Sequence, residues 1–407
     1  MENPVSVYLD HAAATPTAPE VMAAIAEAQA VAHANPSSQH ALGRIARRLL
    51  EDARDRIMAM LGGQAAGIHR DRLVFTSGAS EANHLAIVGM ASGAGAPGEI
   101  WCSRRDHPSS LRAAEAAARQ GWIFREVGLA ANDGTAAASL AAEEEATKSF
   151  GPRIVTVTLG CGQTGSMEDM NAVAGLVTRA NDQANILLHV DATQVAGFIP
   201  IDFHTSPAAT LALAPHKFAG PRGIGGLLIR GGVAIEPMLA GTQEQGLRGG
   251  TEAVGLAVGF ARAMELACAD RDQAVCRVAR LRDRLEARLL DAARRAGIPA
   301  VVIAARARRC PHITTLAFPG LDRQMLAMAA DLAGVCLATG TACASGSSEP
   351  APALIAMGLP PEVVRGAVRL SVGRTTTEAE IDQAVERFTP LLTFGTGDHG
   401  PRTILRA

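Results

Sequence analysis

Aromatic residues, concentrated charge and long apolar runs are all scarce in this sequence. Aromatics make up 3% of the 407 residues, and the formal net charge is −2. Lys and Arg are scattered, which argues against a basic patch that binds nucleic acid or an anionic membrane. No stretch is long and apolar enough for a membrane-spanning helix, and the N-terminal residues lack the apolar core of a signal peptide. We therefore expect a cytoplasmic protein with a small-molecule partner, and no direct nucleic-acid or membrane partner.

Paired cysteines are also missing. The seven cysteines are an odd number, and they lack both Cys-x-x-Cys pairs and the Cys/His spacing of a zinc site, so neither a disulfide framework nor a structural metal site is expected. Most of them should fill small spaces in the core. Cys343 differs, because it lies in "ATGTACASGSSEP" (338–350), among small and hydroxyl side chains. Its thiol could be a nucleophile on a mobile loop, a metal ligand or filler in a turn.

The sequence does contain alternating helical and strand-like segments, and it is long enough for two domains with separate cores. Helical periodicity covers residues 17–31 and 41–61. Short apolar runs typical of buried strands cover residues 72–77, 153–159, 185–191 and 225–230. This alternation predicts an α/β domain with a largely parallel sheet. One long helix, from about 252 to 295, is expected to lead into a smaller α+β domain.

The most informative segment joins an aspartate to a lysine. Asp191 ends the strand-like run "LLHVD", and α/β folds bind their ligands at such strand ends. Lys217 follows another apolar run, directly after His216. Pyridoxal phosphate needs a lysine for a Schiff base and a carboxylate that keeps its pyridine nitrogen protonated. Taken alone, the two residues could equally be a surface lysine and a helix-capping aspartate.

Nine segments in a fixed order carry further motifs. Two of them are "DATQ" (191–194) and "APHK" (214–217). The others are "YLDHAAATP" (8–16), "NPSSQHALG" (35–43), "FTSGASEANH" (75–84), "RDHPSSL" (105–111), "GTQEQGLRGGTE" (241–252), "GTACASGSSEP" (340–350) and "RLSVGRTTTEAEID" (369–382). Together they resemble the motifs of the class V aminotransferases, and within that class the NifS-like cysteine desulfurases.

This resemblance implies a fold type I, pyridoxal-phosphate-dependent transferase. The large domain would span residues 15–255 around a mostly parallel seven-stranded sheet. The smaller α+β domain would combine residues 1–14 and 256–407, with a mobile cysteine loop at about 336–350. The implied enzyme converts L-cysteine to L-alanine and leaves a persulfide for iron–sulfur cluster, thio-cofactor or tRNA biosynthesis. A homodimer with its sites at the interface is implied, with a sulfur-acceptor or scaffold protein as a further partner.

The resemblance assigns the residues around the cofactor ring. Lys217 would form the Schiff base, Asp191 would bind the pyridine nitrogen, and Gln194 would hydrogen-bond the ring oxygen. His107 would stack on the ring and handle protons, which suits an imidazole. Without the other motifs, His107 could be an exposed turn histidine before Pro108.

The phosphate would be bound where a glycine-containing turn runs into a helix. Ser80 and the amide of Ala79 lie at this helix start, and backbone amides with the helix dipole favour an anion there. The resemblance adds His216 and Gln243 to the cofactor site, together with Thr251 from the other subunit. Ser80 could instead be only a helix cap.

Two further residues carry the substrate chemistry in the family. Arg374 matches an arginine that binds the substrate carboxylate, for which a planar guanidinium is well suited. A solvated arginine ahead of a helix is the alternative for this residue alone. Cys343 matches the sulfur acceptor, and its small neighbours would let the loop travel between the ring and an outside acceptor.

The sequence departs from the family's motifs at four positions near the cofactor. Gly162, in "CGQTG", replaces an asparagine that contacts the ring oxygen and the substrate carboxylate. Ala214 replaces a phosphate-binding serine, Gln245 an arginine and Ala253 an asparagine. Each lost hydrogen bond to a charged group costs about 1.5–3 kcal/mol, so weaker cofactor or substrate binding is expected. A relative that acts on selenocysteine, cysteine sulfinate or another amino acid, and a non-catalytic homologue, remain as alternatives.

Overall fold

The computed structural model describes residues 6–130, 133–146, 152–180, 186–340 and 349–393. Cys343 lies outside the described residues, together with much of the loop at about 336–350 that the sequence predicts to be mobile.

Strands and helices alternate through most of the described chain. The strands are β1 (Val7–Tyr8), β2 (Arg72–Thr76), β3 (Glu99–Ser103), β4 (Ile123–Val127), β5 (Arg153–Thr158), β6 (Ile186–Asp191), β7 (Thr210–Leu213), β8 (Gly225–Ile229), β9 (Val301–Val302), β10 (Ile313–Ala317), β11 (Val335–Cys336) and β12 (Ala367–Ser371). The α-helices are α1 (Pro19–Val31), α2 (Ala41–Met60), α3 (Ala79–Gly93), α4 (Pro108–Ala118), α5 (Ala137–Ala146), α6 (Met170–Ala180), α7 (Val254–Ala269), α8 (Arg271–Arg295), α9 (Arg323–Leu332), α10 (Pro352–Ala356), α11 (Pro361–Arg365) and α12 (Glu378–Phe388). The strands predicted from apolar runs correspond to β2, β5, β6 and β8, and the first two predicted helices to α1 and α2.

Seven strands of the described chain form one sheet in the order β2-β8-β7-β6-β5-β3-β4. Neighbouring strands from β7 through β4 run parallel. β8 is antiparallel to both of its neighbours, β7 and β2. The prediction of a mostly parallel seven-stranded sheet is confirmed. Because β6 occupies the middle of this order, its C-terminal end lies where α/β sheets bind ligands.

Helices cover both faces of the sheet, and β6 shows how its side chains divide between them. Successive side chains of a strand point to opposite faces. Leu188 and Val190 pack into the core formed with α1, α2 and α7. His189 and Asp191 therefore point to the opposite face, where both contact α3. This alternation brings two ionisable side chains under one helix at the end of the central strand.

A second core surrounds a three-stranded antiparallel sheet of order β12-β10-β9. It packs α8 and α12 against that sheet through buried residues such as Leu285, Leu289, Phe318 and Phe388. β1 pairs in parallel with β11, which ties the N-terminal segment to this part of the molecule. The exact division into residues 15–255 against 1–14 and 256–407 stays a prediction.

The single helix predicted from about 252 to 295 is wrong. α7 ends at Ala269 and α8 begins at Arg271, with Asp270 between them at φ −126° and ψ 23°. The Asp270 carboxylate pairs with the guanidinium of Arg374, which also donates to Ala267 O at 2.9 Å. Tertiary contacts stabilise the break. The sequence pattern did not reveal it, because apolar periodicity continues through both helices.

No helix in the ranges given above is long and apolar enough to cross a membrane. Within the same residues, no group of three or more His, Cys, Asp or Glu side chains is arranged to hold a metal ion. Of the six described cysteines, Cys102, Cys161 and Cys310 are buried as expected for core residues, whereas Cys268 and Cys336 are half-buried and Cys276 is exposed.

Candidate active site

Asp191 is fixed at the C-terminal end of β6. Its side chain is buried, and Oδ2 accepts a hydrogen bond from Asn83 Nδ2 at 2.8 Å. Oδ1 accepts from the backbone N–H of Thr193 at 2.9 Å, in the turn that follows the strand. A carboxylate that accepts hydrogen bonds at both oxygens has a defined orientation. The structure thus provides a fixed acceptor where the sequence places the partner of the pyridine nitrogen.

Asn83 connects this carboxylate to two histidines. Its Oδ1 lies 3.0 Å from His189 Nε2, and its Nδ2 also donates to Ser109 Oγ at 3.0 Å. Ser109 Oγ lies 2.7 Å from His107 Nδ1, which also accepts from the backbone N–H of Ser109 at 3.1 Å. His107 is the N-cap residue of α4. The structure therefore brings His107 and Asp191 into one hydrogen-bonded set.

Lys217 and Gln194 meet at one backbone carbonyl. Lys217 ends a short 3₁₀ helix, Pro215–Lys217, that follows β7. Its Nζ donates to Ala12 O at 2.6 Å and to Ala13 O at 3.0 Å. Gln194 Nε2 donates to the same Ala12 O at 2.9 Å. The amine and the amide are thus neighbours, and Gln194 follows Asp191 by a single turn of chain.

Gly162 lies beside Gln194, in the loop after β5. Its carbonyl accepts from Arg369 Nη1 at 2.7 Å, and Arg369 Nη2 donates to Asp10 Oδ1 at 2.6 Å. A Cβ at position 162 would lie 2.9 Å from Gln194 Nε2. Any side chain here would have to displace the Gln194 amide, so the glycine and the glutamine fit together locally.

Two histidines that the motif analysis passed over lie near Lys217. His11 and His312 line one cavity with Lys217 and Arg374. Burial lowers the pKa of His312 to about 3 and that of His11 to about 4. His312 stacks on Phe198 with ring centroids 4.3 Å apart, and its Nε2 lies 3.4 Å from Gln194 Oε1. Both rings are therefore neutral at pH 7 and add no positive charge beside the lysine.

The predicted phosphate residues lie closer to the surface. α3 begins at Ala79 after Gly78, and Ser80 is exposed. A Cβ on Gly78 would meet nothing within 4 Å, so there is open space in front of this helix N-terminus. A Cβ on Gly225 would lie 2.5 Å from the backbone of Gly78, so a glycine is required for β8 to approach the turn this closely. The arrangement leaves the first backbone amides of α3 accessible to an anion.

Gln243 and Thr251 lie on the loop before α7. Gln243 Oε1 accepts from Gly250 N at 3.3 Å. Thr251 is exposed and lines an open cavity together with Ser77. His216 is half-buried, and burial with the nearby charge of Lys217 lowers its pKa to about 4.

Arg374 lines the cavity with Lys217, but its guanidinium is already engaged. It pairs with Asp270 and donates to the carbonyls of Ala267 and Gly197, at 2.9 Å and 3.3 Å for the two carbonyls. Arg369 is 5% exposed and is engaged as well, since it pairs with Asp10 and donates to the carbonyl of Gly162. The sequence analysis named Arg374 and missed Arg369, although both lie in the same "RLSVGR" segment.

Known proteins resemble this chain along most of its length. The Aminotransferase class-V family matches residues 7–384. The chain belongs to this family. A cysteine desulfurase of Cereibacter sphaeroides is 34% identical over 391 residues, which cover 95% of each chain. A cysteine desulfurase of Trichormus azollae is 33% identical over 382 residues, covering 93% of this chain and 91% of that protein.

Solved structures give the same result. A NifS-like protein superimposes with a TM-score of 0.85 at 26% identity, covering 96% of this chain and 100% of that one. DndA from Streptomyces lividans superimposes with a TM-score of 0.69 at 27% identity, over 88% and 97% of the two chains. The fold and the family resemblance predicted from the motifs are confirmed.

Proposed function

We propose that this class-V protein is a pyridoxal-phosphate-dependent cysteine desulfurase, which converts L-cysteine to L-alanine and leaves a persulfide on Cys343. One observation carries the proposal. The Lys217 amine and the Gln194 amide meet at Ala12 O, one turn of chain from the buried Asp191 carboxylate. The names of the relatives, cysteine desulfurases at 33–34% identity, support the same activity.

The residues present fit pyridoxal phosphate. A primary amine, a buried carboxylate at a strand end, a neutral amide and an imidazole surround one region, and a helix N-terminus with open space lies at its other end. Lys217 would hold the cofactor covalently, Asp191 would bind its pyridine nitrogen, and Gln194 its ring oxygen. The N-terminus of α3 with Ser80 and Gln243 would bind its phosphate, together with Thr251 of the partner subunit. When bound, the cofactor withdraws electrons from the α-carbon of the amino acid.

His107 would move the proton. Its Nδ1 accepts from the backbone N–H of Ser109, so a neutral ring carries its proton on Nε2. Nε2 is then the atom at which His107 can give a proton. The Lys217 amine, which lies at the carbonyls of Ala12 and Ala13, would be a second base at the site.

Two arginines are candidates for binding the substrate carboxylate. Arg374, which the sequence predicts to bind the carboxylate, lines the cavity with Lys217. The contacts favour Arg369, because it bonds to the carbonyl of Gly162, beside the Gln194 amide. Arg374, in contrast, stabilises the junction of α7 and α8 through Asp270. We therefore propose Arg369 as the carboxylate ligand, and the variants Arg369→Lys and Arg374→Lys distinguish the two residues.

Sulfur transfer balances as follows. The Cys343 thiolate forms a bond to the substrate Sγ, and the Cβ–Sγ bond breaks. The electron pair of that bond stays with the Cβ fragment, and a proton taken up at Cβ completes the methyl group of alanine. The two sulfur atoms remain on Cys343 as a persulfide. The role of Cys343 rests on the resemblance, because its loop is outside the described residues.

The proposal extends to a cytoplasmic homodimer that passes sulfur to an acceptor or scaffold protein. The exposure of Ser80 and Thr251 supports the dimer, because one chain alone leaves this end of the site open to solvent. Sedimentation of the purified protein tests it: a species of twice the chain mass of 42.1 kDa is expected. A monomer at enzyme-assay concentration would contradict it.

The activity is tested with purified protein and pyridoxal phosphate. We expect a visible absorbance band of the bound cofactor, absent in Lys217→Ala, and alanine release from L-cysteine. Selenocysteine and cysteine sulfinate are offered in parallel. Alanine from either of these but not from L-cysteine would overturn the assignment of L-cysteine as the substrate. A protein that shows no cofactor band would overturn the proposal as a whole.

A further inference from the structure

Asn83 is completely buried on α3, and its side-chain amide contacts three polar groups. Nδ2 donates to Asp191 and to Ser109, and Oδ1 lies 3.0 Å from His189 Nε2. All hydrogen-bonding capacity of the nitrogen is used, and the oxygen has a partner. A side chain so fully engaged in the protein interior is held in one orientation.

We infer that Asn83 is a positioning residue: its amide fixes the Asp191 carboxylate and determines which nitrogen of His189 carries the proton, and through Ser109 it supports the proton position of His107. The part of this inference that concerns the cofactor rests on the proposed function. The hydrogen-bond pattern itself is a property of the protein without cofactor.

The orientation of the amide follows from Asp191. If the amide were rotated by half a turn, its oxygen would lie 2.8 Å from a carboxylate oxygen, which is also an acceptor. Two acceptors at that distance repel, so Nδ2 must face Asp191. Oδ1 then faces His189 and needs a donor there.

The tautomer of His189 follows from Asn83. Burial lowers the pKa of His189 to about 4, so its ring is neutral and carries one proton. That proton must be on Nε2 to satisfy Asn83 Oδ1. Nδ1 is then an acceptor for the hydroxyl of Thr210 at 2.9 Å, its direct neighbour on β7 in the sheet register.

Asn83 also acts on His107, through the hydroxyl of Ser109. Because Ser109 Oγ accepts from Asn83, its own proton is available for His107 Nδ1 at 2.7 Å. The backbone N–H of Ser109 donates to the same nitrogen. Both donors keep Nδ1 unprotonated and hold the proton of a neutral His107 on Nε2. One amide thus aligns the carboxylate and the imidazole that the proposed chemistry uses.

The inference is tested first in cofactor-free protein labelled with ¹⁵N-histidine. Two-bond ¹H–¹⁵N spectra at neutral pH distinguish the two tautomers, and His189→Gln and His107→Gln assign the resonances. We expect Nε2–H for both histidines. A wild-type His189 protonated on Nδ1 overturns the inference without any variant of Asn83.

Asn83→Leu and Thr210→Val then remove the two partners of His189 one at a time. In Asn83→Leu, Nε2 loses its acceptor, so we expect the His189 proton to move to Nδ1, where Thr210 Oγ can accept it. In Thr210→Val, the matched control, Asn83 Oδ1 remains and the proton should stay on Nε2. If Thr210→Val moves the proton to Nδ1 and Asn83→Leu leaves it on Nε2, Thr210 determines the tautomer and Asn83 does not. Thr210→Val alone gives this answer if Asn83→Leu does not fold.

Cofactor titration, followed by visible absorbance, tests the link to the site. Asn83→Leu should raise the dissociation constant of pyridoxal phosphate by about tenfold or more, since a charged partner loses its bond. Ser109→Ala should raise it less, and Ser110→Ala, a buried neighbour on the same helical turn, should leave it unchanged. Unchanged binding in Asn83→Leu overturns the positioning role. If the wild type binds no cofactor, the proposed function fails, while the tautomer spectra still decide the role of Asn83.

Discussion

The ring end and the phosphate end of the candidate site are built differently. At the ring end, Asp191, Asn83 and His189 are buried on adjacent elements and hydrogen-bonded to one another. At the phosphate end, Ser80 and Thr251 are exposed. Buried polar groups need hydrogen-bond partners within the chain, whereas exposed ones can bond to a ligand or a second subunit.

The four departures from the family pattern differ in their surroundings. Ala214, where the family has a phosphate-binding serine, is fully buried. Gln245 and Ala253 are exposed. Only Gly162 lies at the ring end, and there its missing side chain leaves room for the Gln194 amide. We therefore expect the missing hydroxyl at residue 214 to weaken cofactor binding, while the glycine at 162 accommodates the Gln194 amide.

The largest effect is expected from Asp191→Asn. Removing the charge that faces the pyridine nitrogen should lower kcat for alanine formation about 10²- to 10³-fold, as loss of a preorganised electrostatic contact does. Asp202→Asn is the matched control, because that carboxylate also accepts backbone hydrogen bonds but is exposed. Equal activity of Asp191→Asn and Asp202→Asn would show that the buried charge of Asp191 does not contribute to catalysis.

Acid sensitivity should come from the neutral histidines of the ring end. The pKa of His312 is lowered to about 3 by burial, so the unfolded chain binds a proton below about pH 6.5 that the folded chain does not. Its contribution to the unfolding free energy is therefore present at pH 7 and is lost as pH falls from about 6.5 toward 3. His312→Gln should reduce the slope of the unfolding free energy against pH by up to about 1.4 kcal/mol per pH unit in this window.

Chemical denaturation at several pH values measures this slope. His33→Gln serves as the control, because His33 is exposed. If both variants keep the wild-type slope, His312 is not held neutral in the folded protein.

The substrate end is tested by a pair of arginines. Arg369→Lys should raise KM for L-cysteine about tenfold or more, because lysine cannot form the planar, bidentate contact with a carboxylate. Arg374→Lys should mainly lower the thermal midpoint, since it loosens the α7–α8 junction at Asp270. A larger rise in KM for Arg374→Lys would restore the assignment made from the sequence.

The smallest effect, and a gain, is expected at the phosphate end. Ala214 is fully buried at the start of the turn that carries Lys217. Ala214→Ser restores the family's hydroxyl and should tighten pyridoxal-phosphate binding by about tenfold, the worth of one hydrogen bond to a charged group. Ala212→Ser, also buried and two residues earlier on β7, should bring no gain. Equal affinities of the two variants would show that the phosphate does not lie beside residue 214.

The sequence predicted those parts of the fold that depend on the residue pattern of a single segment. Buried strands such as β5 and β6 are short segments rich in Ile, Leu and Val, and the sequence identified both. β4 was missed, because this edge strand, "IFREV", is largely exposed and carries charges. The break at Asp270 was missed because it depends on Arg374, more than a hundred residues away.

The candidate site divides in the same way. Motifs located Asp191, Lys217 and Gln194, because their spacing along the chain is characteristic. They did not reveal how Asn83, Ser109 and His189 connect, since these come from three elements and meet only through packing of α3 on the sheet. The sequence contained one usable signal: strand alternation places His189 on the same face as Asp191.

Desulfuration through Cys343 is tested most directly by comparing wild type with Cys343→Ser, both loaded with pyridoxal phosphate and given excess L-cysteine. Alanine is quantified, and the peptide that contains residue 343 is weighed by mass spectrometry. We expect alanine from the wild type, one added sulfur atom on Cys343, and little alanine from Cys343→Ser. Undiminished alanine from Cys343→Ser, or a wild type that binds the cofactor yet leaves cysteine intact, would contradict desulfuration through Cys343.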